Sequence, residues 1–418
     1  TIALPSTTNT KEDEKDEAFL REGVPELKEA RRVLLEYSLK RAEGRIKTER
    51  AKRKYIEEND LYFADDEPLN RMCKKMKQID SISSQIGDEK RPLSCVTLAP
   101  KGKLIATSSW SGQCRIWDPE SCECIQKLKT NEERVQTITF HPQSGIGQSP
   151  STCNLASAGA DCAVYMWSLK SPEPVAKLTG HQARINRLVF HPNGKYIVST
   201  SFDHTWTMWD VETGKELLIQ AGHSRAVYGA AFHTDGAIIV TSGLDGLARV
   251  WDIRSGKTLT VLRGHTTQIL DCDCSPNGWQ IATAGGDHTL RLWDLRQRQC
   301  MYVLGAHSKV ITSARFQPEY GNYLLTTSFD KTLKLWDMRD YSLIKTLAGH
   351  EEKVTACDIL PGDGAFDAPK MIVSASFDKT WKVWVPSEWG DDEDMNEAEE
   401  QDAAEANGKT ETDTMDTT

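Results

Sequence analysis

The stretch Ser328-Phe-Asp-Lys-Thr-Leu-Lys-Leu-Trp-Asp337 decides the fold, because its pattern recurs along the chain. Its tryptophan has counterparts at positions 117, 167, 209, 251, 293 and 384, at intervals of 42 to 50 residues. An aspartate stands six residues before each of the last six of these seven tryptophans. Leu333 and Leu335 alternate with Lys334, which is the period of a β-strand with one buried face. This repeat length predicts a β-propeller with one four-stranded blade per repeat.

Histidines mark the same repeats. Gly-His pairs stand at 180–181, 222–223, 264–265 and 349–350, and Ala306-His307 takes the corresponding place in another repeat. Together with the aspartates and tryptophans they form the WD-repeat signature. The WD-repeat resemblance implies that the histidine, turn aspartate and tryptophan are linked by buried hydrogen bonds within each blade. Because the set is repeated, we expect architecture and not a catalytic site, with no cofactor and no metal.

Seven tryptophans predict seven blades. The last blade has only three strand candidates, so residues 79–88, with Ile79–Ile86 as the strand, are predicted to close the ring as its outer strand. We therefore expect an all-β, seven-bladed WD40 β-propeller over residues 79–387, preceded by a charged N-terminal helical arm over 19–78. Residues 1–18 and the acidic C-terminal tail, 388–418, are predicted to be disordered.

Charge and cysteine content narrow the class further. The chain has a net charge of −10, but residues 388–418 hold 13 acidic residues and one lysine, so the remaining residues sum to about +2. The eleven cysteines include no C-x-x-C pair, which predicts free thiols in a reducing compartment. No apolar run approaches the roughly 18 residues that a membrane span needs.

The arm carries apolar residues at helical spacing. Leu27, Ala30, Leu34 and Tyr37 predict one helix, and Leu69, Met72, Met76 and Ile79 predict a second. Such stripes should dock either on the propeller or on a partner. The basic run is a candidate for RNA-phosphate contact or nuclear import, and a solvated helix face is the alternative; its residues are Lys40, Arg41, Arg45, Lys47, Arg50, Lys52, Arg53 and Lys54.

One face of the ring is predicted to bind partners. Aromatic residues precede the turn aspartates or their equivalents, and polar or basic residues flank the first buried position of the inner strands. This upper rim suits an acidic peptide or an RNA backbone with stacked bases. Its members are Trp110, Arg134, Gln136, Arg184, Asn186, Phe202, Tyr228, Gln268, Lys309, Phe329, Lys353 and Phe377.

Short motifs point beyond WD repeats in general. Ser84-Gln-Ile-Gly-Asp88, Trp293-Asp-Leu-Arg-Gln-Arg298 and Leu347-Ala-Gly-His-Glu351 belong to an ordered series that resembles the WD-repeat proteins of the U4/U6 small nuclear ribonucleoprotein, the family of pre-mRNA-processing factor four. The resemblance implies a nuclear, non-enzymatic scaffold of the U4/U6-U5 tri-snRNP in pre-mRNA splicing. It implies pre-mRNA-processing factor three and other tri-snRNP proteins as partners, with U4/U6 snRNA nearby or contacted. A nuclear cyclophilin is a further possible family partner, and much of its site is expected to belong to the family's upstream motif, which this sequence lacks.

A competing hypothesis rests on three W-D-x-R motifs, which end at Arg254, Arg296 and Arg339. This pattern fits substrate receptors of cullin-type ubiquitin ligases. An arginine in that position either reaches an adaptor protein or pairs with a carboxylate of its own blade. Membranes and small-molecule substrates are not expected as partners.

Overall fold

The computed structural model describes residues 25–58, 67–128, 133–145, 149, 152–362 and 367–386. In these residues, seven four-stranded antiparallel sheets follow one another along the chain. The predicted seven-bladed propeller with an N-terminal helical arm is therefore confirmed. The disorder predicted for residues 1–18 and 388–418 lies outside the described residues. None of the described helices is long and apolar enough to cross a membrane.

The elements begin with the arm and the first three blades. The arm consists of α1 (Pro25–Glu58) and α2 (Glu67–Lys77), and β1 (Ile79–Ile86) follows it. Blade 1 contains β2 (Leu93–Leu98), β3 (Ile105–Ser109), β4 (Cys114–Trp117) and β5 (Cys124–Leu128). Blade 2 contains β6 (Val135–Phe140), β7 (Leu155–Gly159), β8 (Ala163–Trp167) and β9 (Pro174–Thr179). Blade 3 contains β10 (Ile185–Phe190), β11 (Tyr196–Ser201), β12 (Thr205–Asp210) and β13 (Glu216–Ala221).

Four further blades complete the ring. Blade 4 contains β14 (Val227–Phe232), β15 (Ile238–Gly243), β16 (Leu247–Asp252) and β17 (Lys257–Arg263). Blade 5 contains β18 (Ile269–Cys274), β19 (Gln280–Gly285), β20 (Leu290–Asp294) and β21 (Gln299–Leu304). Blade 6 contains β22 (Ile311–Phe316), β23 (Tyr323–Ser328), β24 (Thr332–Asp337) and β25 (Leu343–Ala348). Blade 7 contains β26 (Val354–Leu360), β27 (Met371–Ser376) and β28 (Thr380–Pro386), to which β1 is added.

Each blade has an inner strand a, two middle strands b and c, and an outer strand d. Every residue of strand b is buried in blade 6, whereas strand d of blade 5 exposes Met301, Tyr302 and Val303. Because the strands are antiparallel, the b–c turns and d–a connections lie on one face, here called the upper face. The a–b and c–d turns lie on the opposite, lower face.

Blade 7 closes the ring with strands from distant parts of the sequence. The strand β1 pairs with β28, from Ile79 opposite Pro386 to Ile86 opposite Thr380, with a bulge between Ser81 and Ser83. Without β1, the edge of β28 would present unpaired backbone groups to solvent. The pairing therefore couples the residues after the arm to the last strand of the propeller.

Both apolar stripes of the arm dock on the propeller. In α1, the buried residues Leu27, Ala30 and Leu34 pack on a cluster that spans blades 3 and 4. In α2, the buried Met72 and Met76 join Ile79 against blades 6 and 7. The propeller, and not a separate partner, thus covers these two stripes.

Candidate binding surfaces of the ring

Buried hydrogen-bond networks hold blades 3 to 7. In blade 5, Nδ1 of His265 lies 2.9 Å from Asp287 and its Nε2 lies 2.8 Å from the hydroxyl of Thr283, to which Trp293 Nε1 also donates at 2.8 Å. The same arrangement joins His181, Ser199, Asp203 and Trp209; His223, Thr241, Asp245 and Trp251; His307, Thr326, Asp330 and Trp336; and His350, Ser374, Asp378 and Trp384.

Burial and hydrogen bonding shift the pKa values of the aspartates and histidines in these networks. Burial alone would raise the pKa of Asp203, but hydrogen bonds from His181 and Thr205 outweigh it and hold that pKa well below the ordinary carboxyl value. Burial lowers the pKa of His265, although Asp287 opposes this change. Both ring nitrogens of these histidines are already in hydrogen bonds within the blade, so their role is structural.

Blades 1 and 2 depart from the expectation that every blade carries such a network. Trp117 donates to Thr107 and Trp167 donates to Ser157, both at 2.8 Å, but no histidine takes part. The implied network within each blade is therefore wrong for these two blades, because their d–a connections contain no histidine in the sequence.

In blade 1, an aspartate from outside the blade takes the place of the missing turn aspartate. Ser111 stands where the other blades have the turn aspartate, and Asp88, which follows β1, accepts hydrogen bonds from the hydroxyls of Ser109 and Ser111. These bonds lower the pKa of Asp88 even though its burial acts in the opposite direction. The segment after the closing strand thus completes the upper face of blade 1.

The upper rim contains two aromatic and basic clusters. In the first, the ring centroid of Phe377 lies 5.1 Å from Trp110 and 6.2 Å from Phe329. Lys353 Nζ lies 4.8 Å from the centre of Phe329, and the guanidinium of Arg134 lies 5.3 Å from the centre of Trp110. Five predicted residues from blades 1, 2, 6 and 7 therefore form one continuous surface, with cations stacked on aromatic rings.

The second cluster lies on blades 3 and 4. The guanidinium of Arg184 stacks 3.6 Å above the centre of Phe202, whose centroid lies 6.5 Å from that of Tyr228. Burial raises the pKa of Tyr228, while Arg184 and a hydrogen bond with Gln136 act in the opposite direction. Gln268 and Lys309 are exposed at the corresponding positions of blades 5 and 6.

One member of the predicted rim is not available to a partner. Asn186 is only 6% exposed, and its side-chain amide donates to the carbonyl of Val227 at 3.1 Å. It ties blade 3 to blade 4, so its assignment to the rim is wrong. The sequence predicted it there because it flanks Ile185, the first buried position of the inner strand.

The upper face also contains residues that the sequence did not single out. Lys90 and Arg91 join Trp110, Glu133 and Arg134 around a cavity of about 530 Å³. They follow Asp88, which fixes this segment against blade 1. The absence of a turn aspartate in blade 1 was the sequence signal that could have drawn attention to them.

The central channel carries buried charges. It contains a cavity of about 380 Å³ whose lining includes Arg187, Asp273, Arg315 and Asp358. Asp271 lies 3.6 Å from Arg187 and 3.4 Å from Arg315. Burial raises the pKa of Asp273 to about 7 and that of Asp358 to about 6. Each of these two carboxylates also accepts a backbone hydrogen bond from the next blade, from Phe316 and Leu98 respectively.

On the lower face, α1 places its basic residues in different environments. Arg45 forms a two-pronged pair with Asp235, at 2.6 and 3.0 Å, and donates to the carbonyl of Asn277 at 3.2 Å. Arg45 therefore anchors the helix on blades 4 and 5, and the predicted RNA contact would require this ion pair to break. Arg41 donates to the hydroxyl of Tyr37 at 2.6 Å.

The other basic residues of the predicted run are distributed as follows. Lys40, Arg41, Lys47, Arg50 and Lys54 are exposed, and the side chains of Lys52 and Arg53 lie outside the described residues. The eleven cysteines all fall within the described ranges and are free thiols. Among the described residues, no group of three or more histidine, cysteine, aspartate or glutamate side chains is placed to hold a metal ion.

Two family models match the chain. The model described as the IFT122 first beta-propeller matches residues 146–384, which is more than half of the 418 residues. The chain belongs to this β-propeller family. The model described as the WD domain, G-beta repeat matches residues 80–118 and 122–168, which confirms the predicted WD repeats in the first blades.

Relatives from several organisms carry a more specific name. The chain is 40% identical over 148 residues to the Bos taurus protein named U4/U6 small nuclear ribonucleoprotein Prp4, a match that covers 35% of this chain and 27% of that protein. It is 38% identical over 156 residues to the PRP4-like protein of Arabidopsis thaliana, covering 36% of this chain and 26% of that one. For PRP4 of Saccharomyces cerevisiae the identity is 32% over 136 residues, covering 32% and 28%.

These relatives confirm the resemblance to the U4/U6 proteins that the short motifs predicted. The matches cover about a quarter of the length of these three relatives, from 26% in the plant protein to 28% in the yeast protein.

Proposed function

We propose that this chain is a nuclear, non-enzymatic scaffold of the U4/U6 and U4/U6-U5 small nuclear ribonucleoproteins in pre-mRNA splicing. The similarity to relatives named for the U4/U6 particle carries the proposal. The repeated His-Asp sets support a non-enzymatic role, since their side chains form hydrogen bonds within the blades. Pre-mRNA-processing factor three and other tri-snRNP proteins are the proposed partners, with U4/U6 snRNA beside or against the arm.

The upper rim is the proposed surface for a protein partner. Its rings are partly exposed, and Arg134, Arg184 and Lys353 lie over them. An acidic segment with apolar side chains would meet both the cations and the aromatic faces, which are the residue types that dominate protein interfaces.

A pull-down from nuclear extract tests this assignment. The triple variant Arg184→Glu, Lys309→Glu and Lys353→Glu should lose the snRNP proteins that the wild-type chain recovers. A matched control, Lys103→Glu with Lys195→Glu, changes two exposed lysines of lower-face turns and should keep them. Equal recovery by the triple variant would exclude the upper rim as the binding surface. Recovery of a ubiquitin-ligase adaptor without snRNP proteins would exclude the splicing assignment.

The exposed cations of α1 are the proposed RNA contact. Lys40, Lys47 and Arg50 stand on the helix without being needed to dock it. Replacing all three by alanine should weaken binding to a U4/U6 RNA duplex and reduce the salt slope by about one unit for each phosphate that is no longer neutralised. An unchanged slope would contradict direct RNA contact by these residues.

The ubiquitin-ligase alternative is less well supported. Arg254, Arg296 and Arg339 each pair with the aspartate two residues before them, at 3.1, 3.0 and 2.6 Å. Arg339 also contacts Asn70 of α2, which lies across its turn. An adaptor would have to break these pairs and displace part of the arm.

A further inference from the structure

The helix α1 carries a second apolar stripe that the propeller does not cover. Leu35, Leu39 and Ile46 are 42%, 58% and 42% exposed. Their spacings of four and seven residues place them on one side of the helix. That side differs from the one through which Leu27, Ala30 and Leu34 pack on blades 3 and 4.

Basic residues surround the C-terminal part of this stripe, although Glu43 is exposed among them and Glu36 is exposed beside Leu35. Residues 40–54 contain eight basic and two acidic residues. Arg45 is held by Asp235, but Lys40, Lys47 and Arg50 are exposed. An occupant of this helix side therefore needs carboxylates together with apolar side chains.

The chain itself contains such a segment, and it starts on the same face. The strand β28 runs from the upper face, where Asp378 occupies the b–c turn, to Pro386 on the lower face, opposite Ile79. Residues 387–418 then follow, with 13 acidic residues, one lysine, and the apolar residues Trp389, Met395 and Met415.

The acidic segment, residues 387–418, is long enough to contact α1. Thirty-two residues can extend to roughly 105 Å, whereas the 34 residues of α1 are about 51 Å long. The path begins beside the last turn of α2, which exposes Lys74, Lys75 and Lys77. The last described residue before the acidic segment, Pro386, therefore lies on the lower face near these cations.

We propose that the acidic segment 387–418 docks on the exposed side of α1, with its carboxylates on Lys40, Lys47 and Arg50 and its apolar side chains over Leu35, Leu39 and Ile46. Exposed ion pairs are individually weak. The segment is tethered, however, so its effective concentration is on the order of millimolar and a weak contact is sufficient. An anionic partner of α1 must then displace this segment before it binds.

Carbodiimide crosslinking of the full chain tests the contact, because it joins a lysine directly to a carboxylate. Lys40 and Lys47 should couple to acidic residues of 387–418 at low salt, and 1 M salt should suppress the coupling. Lys309 and Lys353 on the upper face are the matched control and should remain uncoupled. Coupling at all four lysines alike, or coupling only between two copies of the chain, would overturn the proposal.

Hydrogen exchange provides an independent measurement. A variant of the chain with the 13 carboxylates of residues 387–418 replaced by amides should show amide exchange in residues 35–50 that is faster by about three-fold or more, since docking stabilises that part of α1. The double variant Leu39→Ser and Ile46→Ser should lose the crosslinks while its propeller unfolds at the wild-type temperature. Unchanged exchange in the amide variant would overturn the proposal, whatever snRNP partner the chain binds.

Discussion

The closing strand provides a sharp test of how the ring is held together. Ile79 is fully buried among Met72, Met76 and Trp384, whereas Ile82 of the same strand is 70% exposed. Ile79→Ala removes three carbon atoms from a contact that solvent does not reach, and this loss costs about 2.5 kcal/mol in transfer free energy. The cavity left behind brings the expected loss to about 3–4 kcal/mol.

Urea unfolding and thermal melting measure this loss. For a ring of this size, about 2 °C of melting temperature is lost per kcal/mol, so Ile79→Ala should melt about 6–8 °C below the wild type. Ile82→Ala makes the same chemical change on the solvent side and should stay within about 0.5 kcal/mol of the wild type. If the two variants lose the same free energy of unfolding, Ile79 does not couple the arm to the closure of the ring.

Three further outcomes are expected. Trp293→Phe leaves the hydroxyl of Thr283 without its indole donor and should lower the free energy of unfolding by about 1–3 kcal/mol; a loss as small as that of Trp279→Phe, at a partly exposed ring, would contradict the structural role of the network. A double-mutant cycle on Arg45 and Asp235 should give a coupling of about 1–3 kcal/mol in urea unfolding, whereas the exposed pair of Arg32 and Glu36 should give less than about 0.5 kcal/mol. Burial raises the pKa of Asp273 and Asp358, to about 7 and about 6, so the folded ring binds protons that the unfolded chain, with carboxyl pKa values of about 4, has already released. Their contribution to stability therefore falls as pH rises from about 4 to about 7, and Asp273→Asn with Asp358→Asn should flatten the measured stability over that range.

The sequence was sufficient for the fold because blades 3 to 7 repeat the same local chemistry and every blade keeps its tryptophan. Trp336, Asp330 and His307 have counterparts in each of these five blades, and their hydrogen bonds lie within one blade. Residues that recur together in the sequence are therefore also in contact in the structure. Even the closing strand was predictable, since a seventh blade with three strands requires a fourth from elsewhere.

Contacts between distant segments were not predictable in the same way. Asp88 enters the turn of blade 1 from the segment after β1, and Arg45 reaches Asp235 from a helix 190 positions earlier in the sequence. Neither pair is marked by spacing. Asn186 failed for a related reason, because alternation along a strand does not distinguish a side chain that faces solvent from one that faces the next blade.

The two proposed binding surfaces lie on opposite faces of one ring, and this arrangement bears on how a scaffold would work. Trp110, Phe329 and Phe377 open on the upper face, whereas Lys40 and Lys47 stand on the lower face. A protein held at the rim would leave α1 accessible to RNA or to a second protein. The residues named for the two surfaces are separate, so we expect the two sites to fill independently. Displacement of the acidic segment from α1 would then depend on the lower-face partner alone, and a rim-binding protein should leave its crosslinks to Lys40 and Lys47 in place.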